Sequence, residues 1–387
     1  MQGWLSVSQN GTFRAITTKV AVNVNVNYPA VIAILARESV VAVFNHPEFD
    51  QHEQVVFCSD QETGLKAIIA VHSTRLGPAV GGCRLWDYAS DEDALVDVLR
   101  LSRGMTYKNA MAGLPLGGGK SVIIGNAKTI KSEALFKAFG RMVHRLGGSY
   151  YSAEDVNITT HDIMQVHQET PFVAGLEGKS GNPGPFTALG TYQGIKAAAK
   201  HQFGSADLAG KTVAVQGLGS VGFYLCEHLH KEGAKLIVTD INQDAVNRAV
   251  AQFGATAVGL NDIYGVAADI YAPCALGATI NDDTIPQLKA KVVAGCANNQ
   301  LKRPEHGQKL RDSGILYAPD YVINGGGIIN VAFEMRPQGY NAAESTAKVM
   351  QIYDTLLRIF ERADAEDKPT STVADQMAQE IIARGPL

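Results

Sequence analysis

Hydrophobic and polar positions fall into a regular order only from about Phe44 onward. QVVFCSD and GLKAIIAVHST read as two strands joined by a turn at Glu62 to Gly64. Ser90 then opens a helix, SDEDALVDVLRLSRG, with a capping hydroxyl, acids in the first turn, apolar Leu95, Val98 and Leu99, and Gly104 as the expected stop. A second helix starts at Ser132, keeps Leu135, Phe139, Met142, Val143 and Leu146 on one face, and gives way to Gly147 and Gly148. The short strand SYYSAEDV follows and delivers Glu154 and Asp155 to its end.

Between Gly175 and Pro185 the stretch GLEGKSGNPGP has no apolar period, so the junction between two domains is predicted there, with the freedom of a hinge. TALGTYQGIKAAAKHQFG then reads as a helix capped by Thr187. Strands KTVAVQG, AKLIVTD, DIYAPC, KVVAGC and GILYAPD come next, with amphipathic helices such as NQDAVNRAVAQFG among them. Short apolar strands alternating with such helices predict an α/β fold with a doubly wound parallel sheet covered on both faces. From about Ile328 the pattern is mainly helical, and part of it is expected to pack back on the first domain. The expected plan is an extension outside the fold (1–43), a first α/β domain (44–180), a Rossmann-type domain (186–327) and C-terminal helices (328–387).

The extension carries a VAVNVNVN alternation and then, from Pro29 to Ala36, an apolar core of about seven residues, short for the hydrophobic centre of a signal peptide. It reads as an artificial leader or translated upstream sequence, with a targeting segment as the alternative. Composition adds exclusions. With 387 residues, 46% hydrophobic, 19% charged and net charge -4, the chain is a soluble globular protein of about two domains. It has no long Lys/Arg run to meet nucleic acid or an anionic membrane, and no apolar run near the ~18 to 20 residues of a membrane span. Cys58, Cys83, Cys226, Cys274 and Cys296 are odd in number and never form a C-x-x-C pair, which argues against a disulfide frame or zinc knuckle and fits a reducing cytoplasm. His228 and His230, two apart, lie on different faces of a helix, so no metal is expected there.

The densest chemistry lies in GMTYKNAMAGLPLGGGK, where Lys108 and Lys120 bracket a segment of small residues. A lysine behind Gly117, Gly118 and Gly119 is poorly placed to be a solvated surface charge. One protonated lysine can hold a carboxylate. A second, sharing a sheltered site with that cation, would be pushed from ~10.4 towards neutrality and become a general base. Asp155 could exchange the proton of a substrate amine.

A second constellation, KTVAVQGLGSVGFYLCEHL, places Gly217, Gly219 and Gly222 after a buried strand and at the opening of a helix, with Ser220 and Val221 inside the turn. That is the setting of a dinucleotide fingerprint, in which helix N–H groups face a pyrophosphate. Asp240, at the end of the next strand, suits the adenosine ribose hydroxyls and would repel a 2′-phosphate, which favours NAD over NADP.

LGPAVGGCRLW, GMTYKNAMAGLPLGGGK, SAEDVN, GLGSVG with VTDIN, APCALGAT, CANNQL and APDYVINGGGIINVAFE, in this order, resemble the glutamate/leucine/phenylalanine/valine dehydrogenase family, its leucine-specific members above all. The resemblance covers nearly the whole chain from Phe44. It implies that the first domain serves substrate binding and oligomerisation, that Lys108 binds the amino acid carboxylate beside Gly81 and Gly82, that Lys120 is the catalytic base, and that Asp155 is its proton-transfer partner. It also places Thr187 at the nicotinamide carboxamide, with the segments Cys274 to Gly277, Ala275 included, and Cys296 to Asn298 bordering the cofactor, and it implies a homo-oligomer, an octamer by preference. Two positions depart from the family pattern: Asn157 stands where glycine is common, and Cys83 where threonine is.

The implied reaction is NAD-dependent, reversible oxidative deamination of an amino acid to a 2-oxo acid, ammonia and NADH. By the same resemblance Val80, Ala153, Ile328 and Val331 wall the side-chain pocket. All are uncharged, so a glutamate carboxylate would be desolvated without a partner, and branched aliphatic substrates (leucine, valine, isoleucine) fit best. A phenylalanine dehydrogenase is the near alternative. From other classes, a non-catalytic NAD sensor would not need Lys108, Lys120 and Asp155, and a hydroxy-acid dehydrogenase would need a His-carboxylate relay that the sequence does not offer.

Overall fold

The computed structural model describes residues 6–7, 13–14, 43–176 and 181–386. VAVNVNVN, the Pro29 to Ala36 segment and residues 177–180 of the expected junction lie outside the described residues. The chain divides into two compact units, Met1–Phe49 and Asp50–Leu387. In the first, strands β1 (Ser6–Val7) and β2 (Phe13–Arg14) pair antiparallel, and the Phe44 and Phe49 rings meet edge-on at 5.4 Å.

Two separate sheets organise the second unit. The first holds β3 (Gln54–Asp60), β4 (Leu65–Ser73), β5 (Ala79–Trp86), β6 (Gly117–Ile124) and β7 (Tyr150–Glu154) in the order β3-β4-β6-β5-β7. β3 and β6 both run antiparallel to β4, while β5 is parallel to both β6 and β7. The expected turn closes β3 on β4 through Thr63 N–H, which donates to Asp60 Oδ1 at 3.0 Å. On one side the helix Glu133–His144, capped by Ser132, buries Leu135, Phe136, Phe139 and Val143 against Ile69, Val71 and Ile123.

The helix opened by Ser90 does not stop at Gly104. It runs over Asp91–Met111, and Lys108 therefore stands in a helical turn rather than in the expected loop. Glycine in a helix interior costs about 1 kcal/mol relative to alanine. Burial of Ser102, Thr106, Asn109, Ala110 and Met111 beyond Gly104 outweighs that local preference. Close contact requires the glycines of β6: a Cβ on Gly118 would lie 2.0 Å from the Thr106 backbone nitrogen. Helix and strand touch backbone to backbone, which brings Lys108 within electrostatic reach of Lys120.

The second sheet contains β8 (Thr212–Gln216), β9 (Lys235–Thr239), β10 (Thr256–Ala257), β11 (Ile270–Pro273), β12 (Val292–Val293) and β13 (Leu316–Tyr317), all parallel, in the order β10-β9-β8-β11-β12-β13. This is the doubly wound arrangement read from the alternation. Only β10 was not legible, because both its residues are exposed and leave no apolar signal. Chain order reverses between β8 and β11, which opens a crevice at their carboxyl ends.

The helix leading into this sheet spans Gly184–Phe203, with Pro185 in its first turn, so Thr187 is not its cap. Thr187 sits inside that turn, and its hydroxyl donates to the Pro183 carbonyl at 3.1 Å. Four helices complete the chain: Gly326–Glu334, Ala342–Met350, Ile352–Glu366 and Thr370–Arg384. The last returns to the first sheet's helix, where Gln379 Nε2 donates to Tyr107 Oη at 2.9 Å. Among the described residues, no helix is long and apolar enough to cross a membrane.

Candidate active site

Lys120 occupies the middle of β6, opposite Ala70 of β4, and is 6% exposed. Its Nζ lies 2.8 Å from Asp155 Oδ2. Asp155 follows the last residue of β7, and β5 holds β7 in place through the Gly82–Ala153 and Cys83–Glu154 pairs. A Cβ on Gly82 would lie 2.7 Å from Asp155 Cβ, so that glycine is what admits the aspartate to the site. Burial pushes the Asp155 carboxyl towards the neutral form, but the cations Lys120 and Arg84 outweigh it and hold its pKa below the usual carboxylate value.

Arg84 was not singled out in the sequence. It leaves β5 one residue after Cys83, and its Nε donates to the same Asp155 Oδ2 at 3.0 Å. Its Nη1 donates to Asp97 Oδ2 at 2.9 Å, and Tyr88 Oη donates to that oxygen at 2.6 Å. The one sequence signal for it is its place inside LGPAVGGCRLW, directly after Gly81, Gly82 and Cys83.

Lys108 faces the other sheet. Its Nζ is 3.4 Å from Asn298 Oδ1, an oxygen that also accepts from Asn324 Nδ2 at 2.7 Å. Burial pushes the Lys108 ammonium down to about 8, with Asp320 opposing and Lys120 adding to the fall. Lys108 is the amine depressed by burial and a like charge, whereas Lys120 is held in an ion pair with Asp155. The missing piece was Arg84, whose presence leaves room for one carboxylate between two cations.

Of the expected pocket wall, Val80 is fully buried in β5 beside Gly118, Val331 is 9% exposed, and Ala153 and Ile328 are half-buried. Ile328 and Val331 are three apart on the helix Gly326–Glu334 and share a face. A Cβ on Gly327 would lie 2.7 Å from Thr187 Oγ1, so this helix runs directly beside Thr187. Gly81 is pinned from behind, its carbonyl accepting from Tyr150 Oη at 2.7 Å.

On the second sheet Gly217 has φ +104°, and a Cβ there would lie 2.7 Å from the Ala275 side chain. Gly219 starts the helix Ser220–Lys231, with nothing within 4 Å of the place its Cβ would occupy. A Cβ on Gly222 would lie 2.1 Å from the Gly217 carbonyl oxygen and 3.4 Å from Cys274 Cβ. Ser220 and Val221 form the first turn, whose free N–H groups and open face make a cradle for phosphate. Asp240 caps β9, and its Oδ2 accepts from Leu218 N–H at 2.5 Å, tying the acid to the glycine turn. A pyrophosphate and ribose fit this donor and acceptor set.

Cys296 is buried with its thiol pushed well up, Cys274 being the first cause and burial the second. His228 stacks on Tyr192 and His230 leans on Phe253, so the two rings serve different packing contacts. No group of three potential metal ligands occurs among the described residues.

A model of the Glu/Leu/Phe/Val dehydrogenase dimerisation domain matches residues 52–174, and one of the Glutamate/Leucine/Phenylalanine/Valine dehydrogenase domain matches 182–246 and 239–383. The chain belongs to the Glu/Leu/Phe/Val dehydrogenase family. It is 59% identical over 343 residues to a leucine dehydrogenase of Geobacillus stearothermophilus, covering 88% of this chain and 93% of that protein. It is 49% identical to a phenylalanine dehydrogenase of Bacillus thermotolerans, covering 87% and 90%. The crystal structure of L-tryptophan dehydrogenase from Nostoc punctiforme superposes with TM-score 0.77 at 47% identity, covering 86% of this chain and 96% of that one. As a member of this family the protein is an amino acid dehydrogenase.

Proposed function

We propose that the protein catalyses the NAD-dependent, reversible oxidative deamination of leucine, and of valine and isoleucine alongside it, to the 2-oxo acid, ammonia and NADH. The observation that carries this reading is the sheltered Lys120–Asp155 pair at 2.8 Å, with Lys108, on the helix that packs against β6, facing the dinucleotide-type domain. The 59% identity to a leucine dehydrogenase, against 49% to a phenylalanine dehydrogenase, favours the aliphatic substrate. The uncharged set Val80, Ala153, Ile328 and Val331 agrees with it.

In this reading Lys108 holds the substrate carboxylate, and the carboxylate in turn restores the charge that burial weakens. Backbone at Gly81 and Gly82 lines that end. Asp155 takes the proton from the substrate ammonium. Lys120, in its neutral form, is the base that acts on water. Gly217, Gly219, Ser220, Val221 and Gly222 would hold NAD, with Asp240 on the ribose and Thr187, Cys274, Ala275 and Asn298 around the nicotinamide, and bound there it would supply the acceptor for the Cα hydride. Lys120 then draws a proton from water adding to the resulting iminium carbon, and collapse of the carbinolamine releases ammonia. The near-contact geometry of hydride transfer calls for the two sheets to close on the substrate and exclude bulk water.

The enzyme is further read as a cytoplasmic homo-oligomer, an octamer by resemblance. Phe57, 60% exposed on edge strand β3 of the domain matched by the dimerisation model, supports association. The direct test is NADH formation with leucine, valine, phenylalanine, glutamate and lactate. Leucine and valine should lead, with one methylene separating aliphatic substrates by only ~1 to 3 kcal/mol. Faster turnover of phenylalanine or glutamate than of leucine would overturn the substrate assignment, and NAD binding without any turnover would favour a sensor.

A further inference from the structure

Asp155 has two carboxylate oxygens, and the protein treats them differently. Oδ2 takes both Lys120 Nζ, at 2.8 Å, and Arg84 Nε, at 3.0 Å. Oδ1 has no hydrogen-bond or ion-pair partner among the described residues. A carboxylate with one oxygen doubly engaged and the other open is fixed in rotation and has one acceptor to offer. Arg84 is itself held at its far end: Asp97 Oδ2 accepts from Nη1, and the Tyr88 hydroxyl donates to that same oxygen. Four elements meet in this chain, since Arg84 comes from β5, Asp155 follows β7, Asp97 lies on the helix Asp91–Met111, and Tyr88 lies in the loop between them. Charges alternate along it: Lys120 positive, Asp155 negative, Arg84 positive, Asp97 negative. The side chains of Arg84, Asp155 and Asp97 are each about a quarter exposed, at 24%, 25% and 26%, so solvent screens the chain only in part.

Resting on the deaminase reading above, we infer that Arg84 is the positioning residue of the reaction: it locks Asp155 with Oδ1 free for the substrate amine and supplies positive charge beside that carboxylate, while Asp97 moderates the charge of Arg84. A planar fork suits this task because Nε and Nη1 reach two carboxylates at once, which a lysine ammonium on a flexible stem cannot do with fixed geometry.

The sign of the electrostatics supplies the test. Arg84 is one of the cations that hold the Asp155 carboxyl below its usual value, so loss of that positive charge makes a proton harder to remove from Asp155. Arg84→Gln should therefore move the acid limb of kcat/KM for leucine to higher pH, by about one unit, as expected for a charge within hydrogen-bond reach. Asp97→Asn removes a negative charge from the same chain and should move that limb down. A loosened structure would not displace the limb in opposite directions. Arg84→Lys, with charge kept and fork lost, should leave the limb close to wild type while kcat falls roughly ten- to a hundredfold through misplacement of Asp155.

Wild-type NADH formation from leucine is measured first, because its absence sinks the deaminase reading itself. With that activity in hand, a limb that stays put in Arg84→Gln, or that rises in both Arg84→Gln and Asp97→Asn, overturns the positioning role alone. Should Arg84→Gln fail to fold, Asp97→Asn carries the test, and an upward shift there is the contradicting result.

Discussion

Single residues carry the electrostatics of this site, and each is set by what lies within a few ångströms. Lys108 is the clearest case. Its amine is brought down to about 8 by burial even with Asp320 opposing the fall, so a bound substrate carboxylate would strengthen a charge that burial weakens. Lys108→Ala should raise KM for leucine far more than it lowers kcat, because it removes binding shared by ground and transition states. Steady-state kinetics on the purified variant checks this, and an unchanged KM would remove Lys108 from the carboxylate. At this scale residue types were legible and partners were not. Lys108, Lys120 and Asp155 stand out in the chain, whereas Arg84 is 71 residues from Asp155 in sequence and meets it only because β5 pairs with β7. Asn157, marked as a departure from the family pattern, proves to have φ +60°, a conformation glycine reaches freely and asparagine tolerates. Its side chain fastens the turn by donating to the Leu85 carbonyl at 3.0 Å.

At the scale of elements, glycine has two opposite meanings in neighbouring segments. Gly104 lies inside the helix Asp91–Met111 with nothing within 4 Å of its would-be Cβ, so Gly104→Ala should stabilise the protein by about 0.5 to 1 kcal/mol. Gly118 on β6 faces the Thr106 backbone at 2.0 Å, and Gly118→Ala should destabilise by more than that gain and weaken activity, since helix and strand must part. Urea midpoints of the two variants should move in opposite directions; a Gly104→Ala protein less stable than wild type would mean that the helix needs the glycine. The same contrast explains the misplaced helix end. A glycine after an apolar run is a stop signal by local rule, and the information that the helix continues resides in the β6 glycines, which become informative only once the helix lies on them. The buried parallel strands of the second sheet, by contrast, announce themselves by five or so apolar residues in a row and needed no partner to be read.

Across the whole molecule, two sheets divide the work. β6 and β7 present Lys120 and Asp155, while β8, β9 and β11 present the glycine turn, Asp240 and the Cys274 segment, and Lys108 touches Asn298 across the gap at 3.4 Å. The doubly wound sheet and its crevice follow from the alternation of elements, but the closeness of the two domains does not, because it depends on side chains that have no period. If proton handling and dinucleotide binding are housed separately, one can be removed without the other. The decisive measurement is therefore made on Lys120→Ala: leucine-dependent NADH formation beside NAD affinity by fluorescence titration. Turnover should fall by roughly a hundredfold or more, the contribution of a positioned general base, while the NAD dissociation constant stays within about twofold of wild type. Near-native turnover in that variant would contradict the role given to the lysine and the mechanism built on it.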